Sequence, residues 1–382
     1  MEQLHTPCYI IDEASLIHNG EILRGVQERT GCRILLAQKA FSNFDTYPLL
    51  RDYLAGTEAS GLYEARLGKE EMPGKECHVF CGAYRAEDME ELLGYADHIV
   101  FNSIRQLKAY GPMAKERGRS VGLRINPECS TQEGHEIYDP CSPVSRLGVT
   151  RAQWDLEMDE ATYALLDGLH WHTLCEQNSD ALATTVAAVE AGFGQFLGDM
   201  KWLNLGGGHH ITRDDYDLAL LERTVTDLAK RYGVQIYLEP GEAVALNAGT
   251  LETEVLDIVT NGENQIAILD MSAACHTPDV IEMPYLPPLQ GSGPAGEKAY
   301  TYYLGGPTCL SGDMVGSYSF DEPLKIGQRL VFEDMAIYST CKNNTFNGMP
   351  LPDIYYRRTD GSYRRLAHFG YEDFKGRLGG RE

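Results

Sequence analysis

No run of eighteen apolar residues occurs in this chain, so no membrane-spanning helix is expected. Paired C-x-x-C spacings are missing too. Ten cysteines without them argue for reduced thiols, several buried as small apolar side chains. Positive charge is scarce: 33 Lys and Arg stand against 56 Asp and Glu, a net charge of −23. That balance argues against a nucleic-acid partner, because phosphate backbones are held by Lys and Arg. It is compatible with a cationic ligand, although acidity for solubility alone is common. The opening MEQLHTPCYIIDE lacks a basic segment followed by an apolar core, so a cytoplasmic location is expected.

What is present is rhythm. At 382 residues the chain suits two domains, or one barrel with an appendage. A first strand is expected at residues 8–11. Asp12 then precedes a helical stretch with Leu16, Leu23 and Val26 on one face. Eight short apolar segments follow, at 33–39, 55–60, 78–81, 98–102, 121–126, 169–173, 202–206 and 236–240. Helical patterns fill most gaps. Ser103 reads as an N-cap for a helix carrying Ile104, Leu107 and Tyr110. Leu182, Val186 and Val189 line one further helix face, and Leu218, Leu221, Val225 and Leu228 another. The longest interval without a strand, 127–168, reads as a loop with Gly134, Pro140 and Pro143, then a helix. Eight βα units over about 200–250 residues is the cadence of a (β/α)8 TIM-type barrel; a doubly wound open sheet is the alternative.

Beyond about residue 245 the rhythm changes. Strand-like runs at 253–259 and 265–270 flank Asn261-Gly262-Glu263-Asn264, a hairpin signal. Further runs stand at 300–304, 329–332, 336–339 and 354–357. The expected architecture is α/β: a barrel over 12–245, then a C-terminal antiparallel β domain over 246–382. Residues 1–11 add a strand to that domain, and the tail from 376 reads as disordered.

Barrel enzymes carry their chemistry at the C-terminal ends of the strands. Those positions hold Lys39, Glu58, Arg124, His170, His172, the triplet Gly206-Gly207-Gly208, and Glu239. A lone lysine at a strand mouth is most often a snorkelling one. A glycine triplet is most often a flexible turn, but one after strand seven sits where barrel phosphate sites occur. A buried Glu239 needs a partner: a nearby Arg or Lys, or a protonated pyridine nitrogen. His170 and His172 share one strand face. They could ligate a metal, but no matching carboxylate and lysine arrangement surrounds them, so no metal is expected. One of them could instead stack on a flat ring. Cys309 lies in a tight Gly- and Pro-flanked loop, and burial is the default for such a residue.

In order, Lys39, H-x-H at 170–172, Asn204-Leu205-Gly206-Gly207-Gly208, Glu239-Pro240-Gly241, Gly306-Pro307-Thr308-Cys309 with Asp313, Tyr338 and Thr345-Phe346-Asn347-Gly348 resemble the fold type III pyridoxal-phosphate decarboxylases. This is the family of ornithine, arginine and diaminopimelate decarboxylases, and the resemblance spans nearly the whole chain. It implies an alanine racemase-like barrel plus β domain, pyridoxal 5′-phosphate as cofactor, and a homodimer with shared active sites. By position, Lys39 is implied to bond covalently to the cofactor and His172 to stack on it. Gly206, Gly207, Gly208 and Tyr338 are implied to hold its phosphate, and Glu239 its ring nitrogen. Cys309 is implied to be the catalytic cysteine given across the dimer interface.

Two departures bear on the substrate. Diaminopimelate decarboxylases of this family carry an arginine after Glu-Pro-Gly, where this chain has Glu242. They carry another downstream, where this chain has Asp279 and Glu282 in CHTPDVIEMPY. Acidic residues in place of guanidinium groups suit an ammonium. The sequence is thus similar to the branch of the family that acts on small cationic carboxylated polyamines, with Glu242, Asp279 and Asp313 implied at the substrate. A decarboxylase for diaminopimelate or another basic amino acid, or a non-catalytic cofactor-binding homologue, are the alternatives.

Overall fold

The computed structural model describes residues 4–132 and 139–380, so Gly134 of the long loop lies outside the described residues. The chain divides into two compact units, Ile17–Val244 and a second made of Met1–Leu16 with Ala245–Glu382. Strand β1 (Cys8–Asp12) belongs to the second.

The first unit is a closed parallel barrel. Its strands are β2 (Arg33–Ala37), β3 (Gly56–Ala59), β4 (Glu76–Phe80), β5 (His98–Phe101), β6 (Ser120–Arg124), β7 (Gly168–His170), β8 (Trp202–Asn204) and β9 (Gln235–Leu238). Pairing of β2 with β9 closes the ring and excludes the open sheet. Leu35, Val100, Trp202 and Tyr237 cluster in the core. Trp202 fits because its neighbours on β6 and β7 are glycines: a Cβ would lie 2.4 Å from its ring at Gly122 and 2.1 Å at Gly168. Large against small is how a narrow barrel fills its interior.

Most of the expected helix faces are buried, with Leu16, Leu23, Val26, Ile104, Leu107, Leu182, Val186, Val189, Leu221, Val225 and Leu228 in the core and Tyr110 and Leu218 half-buried. Caps follow local chemistry. The Ser103 hydroxyl accepts from the Gln106 amide at 3.2 Å, starting helix Ile104–Glu116. Gly233 ends helix Leu218–Tyr232 at φ +68°.

The second unit holds β10 (Gly249–Asn261), β11 (Asn264–Leu269), β12 (Gly293–Pro294), β13 (Tyr300–Gly305), β14 (Met314–Phe320), β15 (Arg329–Glu333), β16 (Asp353–Arg357) and β17 (Tyr363–Ala367). The hairpin turns at Gly262-Glu263 as expected. The sheet is mixed, however: β1 runs parallel to β16, and β11 parallel to β13. Hairpins force antiparallel pairing, but these partners are joined by long connections and are free to run either way. Residues 336–339 form no strand, because the backbone turns through Tyr338 at φ +54°. The tail is ordered further than expected, in helix Tyr371–Leu378. No helix among the described residues is long and apolar enough to cross a membrane.

Candidate active site

Lys39 stands two residues beyond β2, where the chain turns out of the barrel. Its ammonium lies 3.6 Å from the Glu58 carboxylate at the end of β3. Both line a cavity of about 260 Å³ with Phe80, Arg124, His170, His172 and Glu239. Five strand ends thus deliver titratable groups to one space, as the barrel topology requires.

Glu239 is the most committed carboxylate there. Oε2 lies 3.1 Å from Nε2 of His170, and Oε1 accepts from the Asn204 amide nitrogen at 2.5 Å. Burial opposes its charge, but His170 and Lys39 outweigh this and hold its pKa below the usual carboxylate range. Burial lowers the pKa of His170, with the Glu239 carboxylate opposing that shift. Glu58 behaves oppositely: burial pushes it up, only partly countered by Lys39. Arg124 is lowered to about 10 by burial and stays charged. Its guanidinium lies over the Phe80 ring at 4.6 Å and donates to the His172 carbonyl at 3.0 Å. Glu58 and Arg124 occupy catalytic positions by topology, yet their residue types and spacing alone pointed to no role.

The glycine triplet is more constrained than a flexible turn. A Cβ on Gly206 would lie 2.4 Å from the Trp171 carbonyl, on Gly207 2.3 Å from that of Glu239, and on Gly208 2.1 Å from that of Leu174. Gly206 (φ +72°) and Gly208 (φ +80°) also need the left-handed region. Gly206, Gly207 and Gly208 were expected to hold a phosphate, and two of their three amides have acceptors within the protein. The Gly206 amide donates to Asn204 Oδ1 at 2.9 Å and the Gly207 amide to His172 Nδ1 at 3.1 Å. A strand end cannot show where neighbouring amides are spent.

Glu242 does not line the cavity. It is largely buried, and its Oε2 lies 3.0 Å from Nε2 of His210. Glu176 joins them, with one ligand atom from each residue within 4.8 Å of the others.

The remaining expected residues lie in the second unit. Cys309 is exposed, and its amide donates to Asn347 Oδ1 at 2.7 Å. Asp313 is buried, and its carboxylate accepts from Ser272 Oγ (2.9 Å), the Ala274 amide (3.1 Å) and Thr308 Oγ1 (2.6 Å). Asp313 was expected at the substrate; its carboxylate here ties Thr308, in the loop that carries Cys309, to the segment of Ser272 and Ala274, and so anchors that loop. Asp279 pairs with Lys342, as does Glu282. Tyr338 holds a φ of +54°, rare for a bulky residue and often found at functional sites.

A barrel with a lysine and a charged carboxylate at its mouth, and a separate mixed sheet, is the frame of a fold type III pyridoxal enzyme. The family described as pyridoxal-dependent decarboxylase, C-terminal sheet domain, matches residues 8–336. The chain is 39% identical to the carboxynorspermidine/carboxyspermidine decarboxylase of Campylobacter jejuni subsp. jejuni, over 98% of each chain. It is equally 39% identical to the carboxyaminopropylagmatine decarboxylase of Synechocystis sp., over 99% of this chain and 97% of that one. The crystal structure of carboxynorspermidine decarboxylase complexed with norspermidine from Campylobacter jejuni superposes with a TM-score of 0.90 at 38% identity, covering 98% of this chain and all of that one. The chain belongs to the pyridoxal-dependent decarboxylases, and its cofactor is pyridoxal 5′-phosphate.

The residues fit that cofactor. Lys39 reaches the cavity, Glu239 presents a charged carboxylate suited to a protonated ring nitrogen, and His172 offers a flat neutral ring. The Gly208 amide has no protein acceptor among the described residues.

Proposed function

We propose that the chain decarboxylates carboxynorspermidine to norspermidine and carboxyspermidine to spermidine, as a cytoplasmic homodimer with shared sites. Residues 12–245 would form the cofactor domain, and 246–382 with 1–11 the sheet domain. The observation that carries the reading is the convergence of Lys39, Glu239, His170 and His172 on one cavity, in a chain whose substrate-side positions, Glu242 and Asp279, are acidic.

When bound, the cofactor supplies an aldehyde for the substrate amine and an electron sink for the pair left on Cα as CO2 departs. Lys39, whose Nζ reaches the cavity, would be the residue that holds the cofactor. Glu239 keeps a proton on the ring nitrogen, with Asn204 and His170 fixing its two oxygens. His172 would pack on the ring face, and Gly208 and, by the family resemblance, Tyr338 would hold the phosphate. Sγ of Cys309, from the second chain of the dimer, delivers a proton to Cα, and Asp313 with Asn347 positions its loop. Glu242 and Asp279 neutralise the ammonium groups of the polyamine chain.

The test is CO2 release by the purified holoenzyme from carboxynorspermidine, carboxyspermidine, carboxyaminopropylagmatine, diaminopimelate and ornithine. We expect kcat/KM for the two carboxytriamines to exceed the amino-acid substrates by more than about 100-fold, the scale of one well-matched charge contact. Preference for diaminopimelate or ornithine, or no turnover with any of the five, contradicts the reading. A preference for carboxyaminopropylagmatine, the substrate named for the Synechocystis relative, moves the assignment to a guanidinium-ended chain.

A further inference from the structure

Asp279 and Glu282 stand at the two ends of the short helix Asp279–Glu282, and both carboxylates pair with Nζ of Lys342, the last residue of helix Ser339–Lys342. The Lys342 side chain is 34% exposed and that of Asp279 20%. The arrangement is a primary ammonium on an unbranched alkyl stem between two carboxylates. The far end of a carboxytriamine is the same group, a primary ammonium on an unbranched propyl stem in carboxynorspermidine and a butyl stem in carboxyspermidine.

We propose that Lys342 is a specificity-determining residue: its ammonium is an internal competitor for the carboxylates that receive the far ammonium of the substrate. The proposal rests on the reading that Asp279 meets the substrate. Burial works against the Lys342 charge, but its hydrogen bonds to Asp279 and Glu282 outweigh this and raise its pKa above the usual lysine value. Substrate therefore meets a cation that must give way. Displacement is feasible because the pair is partly solvated, where an ion pair contributes little. A lysine stem can also swing its head into water without unburying much apolar surface. The device rejects weakly charged ligands. A far end that is neutral or anionic gains nothing from Asp279 and leaves Lys342 where it is, whereas an ammonium exchanges like for like.

The exchange gives opposite signs for two substitutions. Lys342→Met removes the competitor and leaves two uncompensated carboxylates, so KM for carboxynorspermidine falls by about 3- to 10-fold. The dissociation constant of norspermidine, measured by calorimetry on the holoenzyme, falls with it. Lys342→Arg substitutes a fork that clamps both carboxylates, so KM and that dissociation constant rise. A merely structural lysine gives the reverse order, with Arg near wild type and Met worse. Asp279→Asn is the control and raises KM. If Asp279→Asn raises KM but Lys342→Met raises it too or leaves it unchanged, the competitor role is overturned while the reading of Asp279 stands. If Asp279→Asn leaves KM unchanged, Asp279 does not meet the substrate and both fall.

Discussion

The amide of Gly207 donates to Nδ1 of His172 across 3.1 Å. An imidazole that accepts at Nδ1 carries its proton on Nε2, so this one bond sets both tautomer and ring orientation. Burial, helped by the charges of Lys39 and Arg124, lowers the pKa of the ring well below the usual histidine value. His172 is thus a neutral, fixed plate. Gly207→Ala would drive a Cβ to 2.3 Å from the Glu239 carbonyl and tilt that plate. Such overpacking costs about 1–3 kcal/mol. We expect a lower melting temperature together with weaker cofactor retention on dialysis. An alanine variant that keeps both would show that the plate needs no such support.

Glu242 is held against His210 and largely buried. In the proposed reading the substrate ammonium is the charge partner of Glu242, and removing one partner of a buried charge pair costs about 2–5 kcal/mol. Glu242→Gln should therefore raise KM for carboxynorspermidine by at least about 30-fold, with a smaller change in kcat. An unchanged KM would place Glu242 outside the substrate contacts.

Cys309 is positioned through its backbone. Asn347, itself at φ +60°, receives the Cys309 amide at 2.7 Å. Asn347→Ala frees the loop, and a misplacement of about 1 Å can cost up to about 100-fold in rate. We expect kcat to fall by about 10- to 100-fold with little change in KM, and the alkylation rate of Cys309 by iodoacetamide to change in parallel. Asn347→Asp keeps the acceptor and should recover most of the loss. Wild-type kinetics in the alanine variant would return Cys309 to an unassisted loop.

The barrel was legible because its strands are short apolar runs at even spacing and its helices bury one face each. The order of chemical residues along the chain was legible for the same reason, since strand ends are countable. Hydrogen-bond partners were not. Nothing in the letters shows that the amides of Gly206 and Gly207 are spent on Asn204 and His172, or that Ser272 and Thr308 take up Asp313. Those bonds join residues distant in sequence or fix amides by backbone geometry. Parallel pairing of β1 with β16 was hidden likewise, since it depends on 340 residues of intervening chain folding first. Lys342 carried no signal at all, because its meaning lies in two carboxylates some 60 residues earlier.

His276, fully buried in the second unit, accepts from the Ser272 amide at Nδ1 (3.2 Å) and bonds the Pro350 carbonyl through Nε2 (3.0 Å). Both nitrogens are used by the neutral ring. Burial lowers its pKa to about 4 from 6.5. The folded state therefore binds fewer protons than the unfolded one between those values, and stability rises with pH across that window. Its contribution is complete above pH 6.5 and is lost as pH falls toward 4. The shift corresponds to about 3 kcal/mol. Unfolding free energies measured by urea from pH 7 to 4 should fall with this slope, and His276→Gln should flatten it. A slope unchanged in that variant would assign the acid sensitivity to other groups.

The proposed function stands or falls on which lysine bonds the cofactor. The holoenzyme is reduced with borohydride, digested and mapped by mass spectrometry, which reads the modified lysine itself. The account predicts a pyridoxyl phosphate adduct on the peptide containing Lys39 and its disappearance in Lys39→Ala, together with the loss of the visible absorbance band and of CO2 release. An adduct on any other lysine, or an unmodified Lys39 in active, reduced enzyme, would contradict it.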